Sequence, residues 1–273
     1  MIRVVTCYLT GSEAEMVSAL LMEAGFEGIE EQVDAVKAYV TIEAADQLDL
    51  EGHIAALAAQ FGFTYEWETL EEENWNARWE ADFQPVAIEG RCQVRASFHP
   101  AQPEWPHDIV INPKMSFGTG HHATTYQMIQ RMLELEWSGK RILDFGSGTA
   151  VLAILAEQLG AAEVDAIDND AWAFENAKEN LNLNHAQHIR PLMGTLSDLV
   201  QESPYDAVLA NINRQVLLDS AQDLRQLLAP GGLLLMSGLL DTDKERVLEL
   251  YRNNGFSLVW EGQQEQWLCL QFE

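Results

Sequence analysis

Arg141-Ile142-Leu143-Asp144-Phe145-Gly146-Ser147-Gly148-Thr149-Ala150 runs a short, mostly apolar strand into two glycines and then into a helix read over 150–159. Glycines at such a junction let the backbone turn tightly and let a ligand approach without meeting a Cβ. The helix start adds N–H groups that lack partners within the helix. Strand ends of this kind are where doubly wound sheets bind their ligands. Two cofactor chemistries compete for the turn. A dinucleotide fingerprint, GxGxxG, needs a third glycine where this chain has Val151. Asp144, ahead of the first glycine, fits a methyltransferase better, because a carboxylate there can face the positively charged amino-acid end of a cofactor.

Outward from this turn, strands alternate strictly with helices. Strands are expected at 163–167, 189–193, 206–211 and 233–237, and helices at 173–183, 215–228 and 244–252. Ala229-Pro230-Gly231-Gly232 reads as a turn, and 256–260 with 266–272 as a closing hairpin. Apolar strands alternating with helices mean an α/β domain with a parallel sheet covered on both faces. The hairpin adds an antiparallel strand at the edge, as in a Rossmann-like methyltransferase sheet. This domain is read over 123–273.

The first seventy residues follow a different pattern. Strands at 2–9, 28–33, 36–42 and 63–69 enclose helices ending at Gly25 and Gly62. The order β-α-β-β-α-β over 1–70 is that of a ferredoxin-like α+β domain. It contains no catalytic cluster. Between the two domains, 71–122 reads as a linker helix and a small β region. Trp75, Trp79 and Phe83 recur every four residues, a stripe on one helical face that docks a helix against a domain. Short strand-like pieces over 86–110 are broken by the proline-rich 100–106.

The bulk properties narrow the function. The chain has 273 residues, 47% of them hydrophobic, ample for two cores. No apolar run reaches the ~18 residues of a membrane span, and the N-terminus lacks the features of a signal peptide, so a cytoplasmic location is expected. Cys7, Cys92 and Cys269 are too far apart in sequence to suggest a zinc site or a disulfide framework. Sixteen basic residues against 43 acidic give a net charge of −27. Bare nucleic acid would be repelled by it, whereas a basic partner would be attracted.

Further positions carry candidate chemistry. Asp168 ends the strand after the glycines, where a carboxylate accepts both hydroxyl protons of a ribose. Asn169 and Asp170 follow, and Asp170 reads as a helix cap. Asn211, in Ala210-Asn211-Ile212-Asn213, closes another strand; its amide offers a donor and an acceptor towards an amine, although turn formation is an equal reading. Finally, Asn112-Pro113-Lys114-Met115-Ser116-Phe117-Gly118-Thr119-Gly120-His121-His122-Ala123-Thr124-Thr125 is a glycine-rich loop entering a helix. Adjacent histidines point apart and have no third ligand within reach, so no metal is expected.

Taken together, the loop, the DFGSGT turn, Asp168, the Ala-Asn-Ile element and the Trp75–Pro85 stripe resemble the PrmA family over nearly the whole chain. The FGTGHHATT stretch is the most specific part. Members of that family methylate lysine side chains, and in some cases the N-terminal amine, of a large-subunit ribosomal protein. The resemblance implies S-adenosylmethionine as cofactor, a basic ribosomal protein as partner, and substrate recognition by the N-terminal domain. It carries Thr125, Gly146, Asp168 and Asn211 over as cofactor contacts; Asp144 and Gly148 join them from the turn itself. Asn211 is expected to orient the amine. One departure is Ala150, where the family commonly has glycine; a methyl group is tolerable there if the helix has already begun. Rival readings are a non-catalytic S-adenosylmethionine-binding regulator of a basic protein, a methyltransferase for another protein substrate, and a dehydrogenase. A base or glutamine methyltransferase fits poorly, since Asn211 is not followed by the prolines such enzymes often carry.

Overall fold

The computed structural model describes residues 2–9, 11–70, 83–102, 104–114, 116–199 and 203–273. The chain forms two compact units, Met1–Asp82 and Phe83–Glu273. Trp75 and Trp79 of the expected aromatic stripe lie outside the described residues.

In the N-terminal unit, β1 (Ile2–Tyr8), α1 (Ser12–Ala24), β2 (Gly28–Glu31), β3 (Val36–Thr41), α2 (Ile42–Gln47), α3 (Leu50–Phe61) and β4 (Thr64–Leu70) succeed one another. The strands lie in the order β2-β3-β1-β4, with every pairing antiparallel. Alternation along β1 and β3 sends Val5, Cys7, Val36, Ala38 and Val40 into one core with Leu21 and Ile54 of the helices. The opposite face carries Thr6, Lys37 and Glu66, cross-strand neighbours by register. The short α2 had no clear signal in the sequence. It begins at Thr41, whose hydroxyl accepts from the Ala44 N–H at 3.4 Å.

The C-terminal unit is built on a seven-stranded sheet, β10-β9-β8-β11-β12-β14-β13. Here β8 is Arg141–Phe145, β9 Glu163–Asp168, β10 Ile189–Met193, β11 Tyr205–Asn211, β12 Leu228–Leu240, β13 Leu258–Gln264 and β14 Trp267–Phe272. The first five in that spatial order are parallel. The closing hairpin inserts β14, antiparallel, between β12 and β13. Burial explains the choice: β14 is buried at five successive positions, whereas β13 alternates and suits the exposed edge. The Ala229–Gly232 turn of the sequence reading proves to be a bulge. Strand β12 already pairs at Leu228 with Tyr205, and the register then jumps to Ala207 opposite Leu233.

Five helices accompany these strands: α4 (Ala123–Met132), α5 (Val151–Gln158), α6 (Ala171–Leu183), α7 (Arg214–Leu227) and α8 (Lys244–Asn253). A three-stranded sheet, β5 (Val86–Ile88), β6 (Cys92–Ala96) and β7 (His107–Ile111), belongs to this unit as well. Its Ile88, Val94, Ile109 and Ile111 share a core with Met128, Ile129, Leu152 and Leu155. The sequence reading had set the boundary after residue 122, with this layer in the linker. So small a sheet buries a face only against other elements, and the helices supply that cover.

The free edge of β7 is closed by side chains. Asn184 accepts from Val110 N at 2.8 Å and donates back to Val110 O at 2.6 Å. Asn180 accepts from Asn112 N at 2.7 Å, and Asn176 donates to Asn112 O at 3.1 Å. Spaced four apart along α6, these amides satisfy an edge that would otherwise be open to pairing. All three cysteines are buried and free. Among the described residues no helix is long and apolar enough to cross a membrane.

Candidate active site at the strand ends

The carboxyl ends of β8, β9 and β11 lie side by side, because β8 pairs with both of the others. Residues far apart in sequence therefore meet along one edge of the sheet. Backbone N–H groups of Gly146 and Ser147 donate to Ile167 O, at 2.9 and 3.1 Å, which pins the glycine turn to the end of β9. Gly148 N donates to Asp168 Oδ2 at 2.9 Å, and Asp170 N to Oδ1 at 3.0 Å. A carboxylate has about four acceptor positions, so Asp168, half-buried, keeps capacity for further donors. Asp170 caps α6 through Ala173 N at 2.9 Å, as its position suggested.

Gly146 has φ 72 and Gly148 φ 54, both left-handed. A Cβ on Gly146 would lie 2.7 Å from Cδ1 of Ile212, and one on Gly148 would run into the carbonyl oxygen of Phe117. The turn is thus closed in from two sides by the Asn211 segment and the glycine-rich loop. Ala150 shares the left-handed conformation at φ 63, and α5 begins only at Val151. The condition under which a methyl group is harmless there, a helix already under way, is not met.

Asp144 is 1% exposed and lies beneath the turn. Its Oδ2 accepts from Ala153 N at 3.1 Å. Burial pushes its pKa up to about 7; the Ala153 N–H opposes that rise and the Asp168 charge adds to it. From this position Asp144 braces the start of α5.

On the other side, Asn211 Nδ2 donates to Thr125 Oγ1 at 3.0 Å. Thr125 is fully buried in the first turn of α4. The Oδ1 of Asn211 is buried and has no hydrogen-bond partner among the described residues. Unsatisfied buried acceptors are costly, and this one sits at the strand end beside Ile212, the residue that packs on Gly146. The structure therefore brings Thr125 and Asn211 into one pair, Gly148 and Asp168 into another, and places Gly146 between them.

The adjacent histidines part company. His121 reaches Gln84 O at 2.9 Å, while His122 Nδ1 accepts from the Thr124 N–H at 3.3 Å and so caps α4. His122 also lies edge-on to Phe117 and Trp267, at 5.3 and 4.7 Å between ring centroids.

Two side chains next to Asp168 escaped the sequence reading. Trp172 is 80% exposed in the first turn of α6, and Met193 is 62% exposed, paired with Asp168 across β9 and β10. Both leave large apolar surface open to solvent near the end of β9. The available signal was a Trp four residues after the strand-end carboxylate. Thr149 and Asn180, both fully buried, were given no role of their own, because their contacts are distant in sequence.

The residues present suit S-adenosylmethionine: an orphaned amide acceptor, a glycine cradle that a Cβ would fill, and a carboxylate with unused capacity. The sequence model of the family described as ribosomal protein L11 methyltransferase (PrmA) matches residues 5–273. A ribosomal protein L11 methyltransferase from Porphyromonas gingivalis is 39% identical over 264 residues, covering 94% of this chain and 90% of its own. One from Chlorobaculum tepidum is 38% identical over 268 residues, covering 93% and 90% respectively. A crystal structure of ribosomal protein L11 methylase from Lactobacillus delbrueckii subsp. bulgaricus superposes with a TM-score of 0.64 at 23% identity, covering 70% of this chain and 98% of that one.

Proposed function

The chain belongs to the PrmA family, the ribosomal protein L11 methyltransferases, and from that membership we propose that it transfers methyl groups from S-adenosylmethionine to lysine side-chain amines, and to the N-terminal amine, of that ribosomal protein. The observation that carries this reading to the residues is the buried, unpartnered Oδ1 of Asn211, set beside the glycine turn and linked to Thr125. Bound here, S-adenosylmethionine supplies a methyl group already activated on a sulfonium.

The protein's own work is then alignment and desolvation. Asp168 takes the ribose hydroxyls, while Gly146 and Gly148 admit the methionine part. Trp172 and Met193 offer apolar surface to the base. Asn211 Oδ1 accepts an N–H of the incoming amine, turning its lone pair towards the reaction centre, and holding that geometry supplies much of the acceleration. A lysine must first be deprotonated, which at pH 7 costs about 4–5 kcal/mol from an ordinary pKa near 10.4. Burial against Ile212 and Phe117 lowers that cost by disfavouring the charged form. No strong base is needed.

The N-terminal unit is the recognition element in this proposal. Its open sheet face carries Glu66, Glu68 and Glu30, within a chain of net charge −27, and suits a basic protein of the large subunit, encountered in the cytoplasm. Incubating the purified chain with S-adenosylmethionine and ribosomal protein L11, then reading intact mass, tests the whole proposal. Gains in steps of one methyl group are expected; an unchanged mass with the cofactor bound would leave a cofactor-binding regulator in its place.

A further inference from the structure

Thr149 bolts the glycine-rich loop to the cofactor turn. Its backbone N–H donates to Phe117 O at 3.0 Å, and its hydroxyl donates to Gly118 O at 2.7 Å. The hydroxyl bond is fully buried, and Thr149 itself is 0% exposed. Gly118, at φ 108, lies so close that a Cβ there would sit 2.6 Å from Thr149 Oγ1. The backbone on either side is held by one amide. Asn180 Nδ2 donates to Thr149 O at 2.9 Å while Asn180 Oδ1 accepts from Asn112 N, at the root of the same loop.

Contacts run on from both ends of this clip. On one side Gly148, the neighbour of Thr149, donates to Asp168. On the other, the loop ends at His122, which caps the helix bearing Thr125, the partner of Asn211. A continuous set of hydrogen bonds and chain neighbours thus joins the carboxylate read as holding the ribose to the amide read as orienting the amine.

We propose that Thr149 is a positioning residue that couples occupancy of the cofactor turn to the conformation of the 112–122 loop, so that the amine-receiving side is organised once the cofactor is seated. The inference rests on the reading of the glycine turn as the S-adenosylmethionine site. Coupling of this kind needs an element whose state both sites bias. The loop is the element proposed to respond, being held at its root by Asn180, at its end by the His122 cap and in its middle by Thr149.

The test is hydrogen exchange of the full chain, with and without S-adenosylhomocysteine, in the parent, Thr149→Val and Thr149→Ser. In the parent and in Thr149→Ser, the ligand is expected to slow exchange both in the turn, 144–150, and in the loop. In Thr149→Val the turn should still be protected while the loop exchanges about tenfold faster, the size of one lost hydrogen bond. Methyl transfer should follow, with kcat reduced and KM for the cofactor nearly unchanged. Equal loop protection in Thr149→Val and the parent would overturn the coupling. So would loss of protection in turn and loop together, which would make the residue merely structural. A parent whose turn is not protected at all would remove the cofactor-site reading, and the coupling with it.

Discussion

The two sheets of this chain expose different things. Along β3 of the N-terminal unit, buried and half-buried residues alternate strictly, so one whole face is packed and the other is available. Along β11 of the C-terminal unit, Ala207 to Ala210 are buried without a break. A sheet covered on both faces has only its strand ends left for chemistry. The first architecture presents a broad surface of side chains from many strands, suited to holding a partner. The second concentrates a few groups at the ends of β8, β9 and β11, suited to holding one small cofactor and one amine. The division of labour proposed here follows from that difference.

The sharpest way to break it is at the strand ends. Asn211→Ala should lower kcat by about a thousandfold, since the amine loses its orienting acceptor, with the thermal midpoint nearly unchanged. A rate within a few-fold of the parent in steady-state assays would remove Asn211 from the mechanism.

Next in size is Asp144. Its pKa is raised to about 7 in the folded protein, above the ~3.9 of an unfolded chain. The folded state therefore binds the proton more tightly. The stability this group contributes is full below about pH 4 and is lost as pH rises through 7, about 4 kcal/mol over the interval. Asp144→Asn should flatten that decline. Between about pH 4 and 7, its midpoint should gain steadily on the parent's and then hold that gap at higher pH; parallel curves throughout would show that Asp144 is charged across the range.

A smaller effect is expected on the open sheet. Glu66→Lys together with Glu68→Lys should raise KM for the protein substrate about fivefold at low salt, and less as salt is added. The rate at saturation should not change. A change in kcat with KM constant would place the influence of this face in the chemistry and undo the contrast between the sheets.

The smallest concerns the turn. Ala150→Gly relieves a left-handed alanine but frees the unfolded chain, leaving a gain of about 0.5–1 kcal/mol. Thermal unfolding reads it as a rise of about 2 °C; a fall would mean that the methyl group's packing outweighs the strain.

Much of this was legible along the chain. The strand-to-helix turn at 141–150, the alternation after it and the β-α-β-β-α-β order of the first seventy residues depend on local periodicity. Those elements appear where the pattern placed them, often within a residue or two. The boundary at 122/123 was misplaced because β5 to β7 look like a broken linker in isolation; only their packing on α4 and α5 makes them part of the larger core. The helix over 150–159 was taken to include Ala150 because alanine favours helices, whereas the turn before it imposes the opposite backbone sign.

What the sequence by itself determined is the type of most elements and the parallel sheet, and it supplied the candidates for the chemistry; the short α2 and the run of β12 through Ala229–Gly232 were not in the pattern. Periodicity and the strand-end position of Asp168 and Asn211 are local properties, written into neighbouring residues. What only the tertiary structure decided is which of those residues meet. Thr125 and Asn211 are 86 positions apart, and Thr149 and Gly118 31. Such pairs form because packing brings separate strand and helix ends to one edge, and no spacing within the chain encodes that meeting.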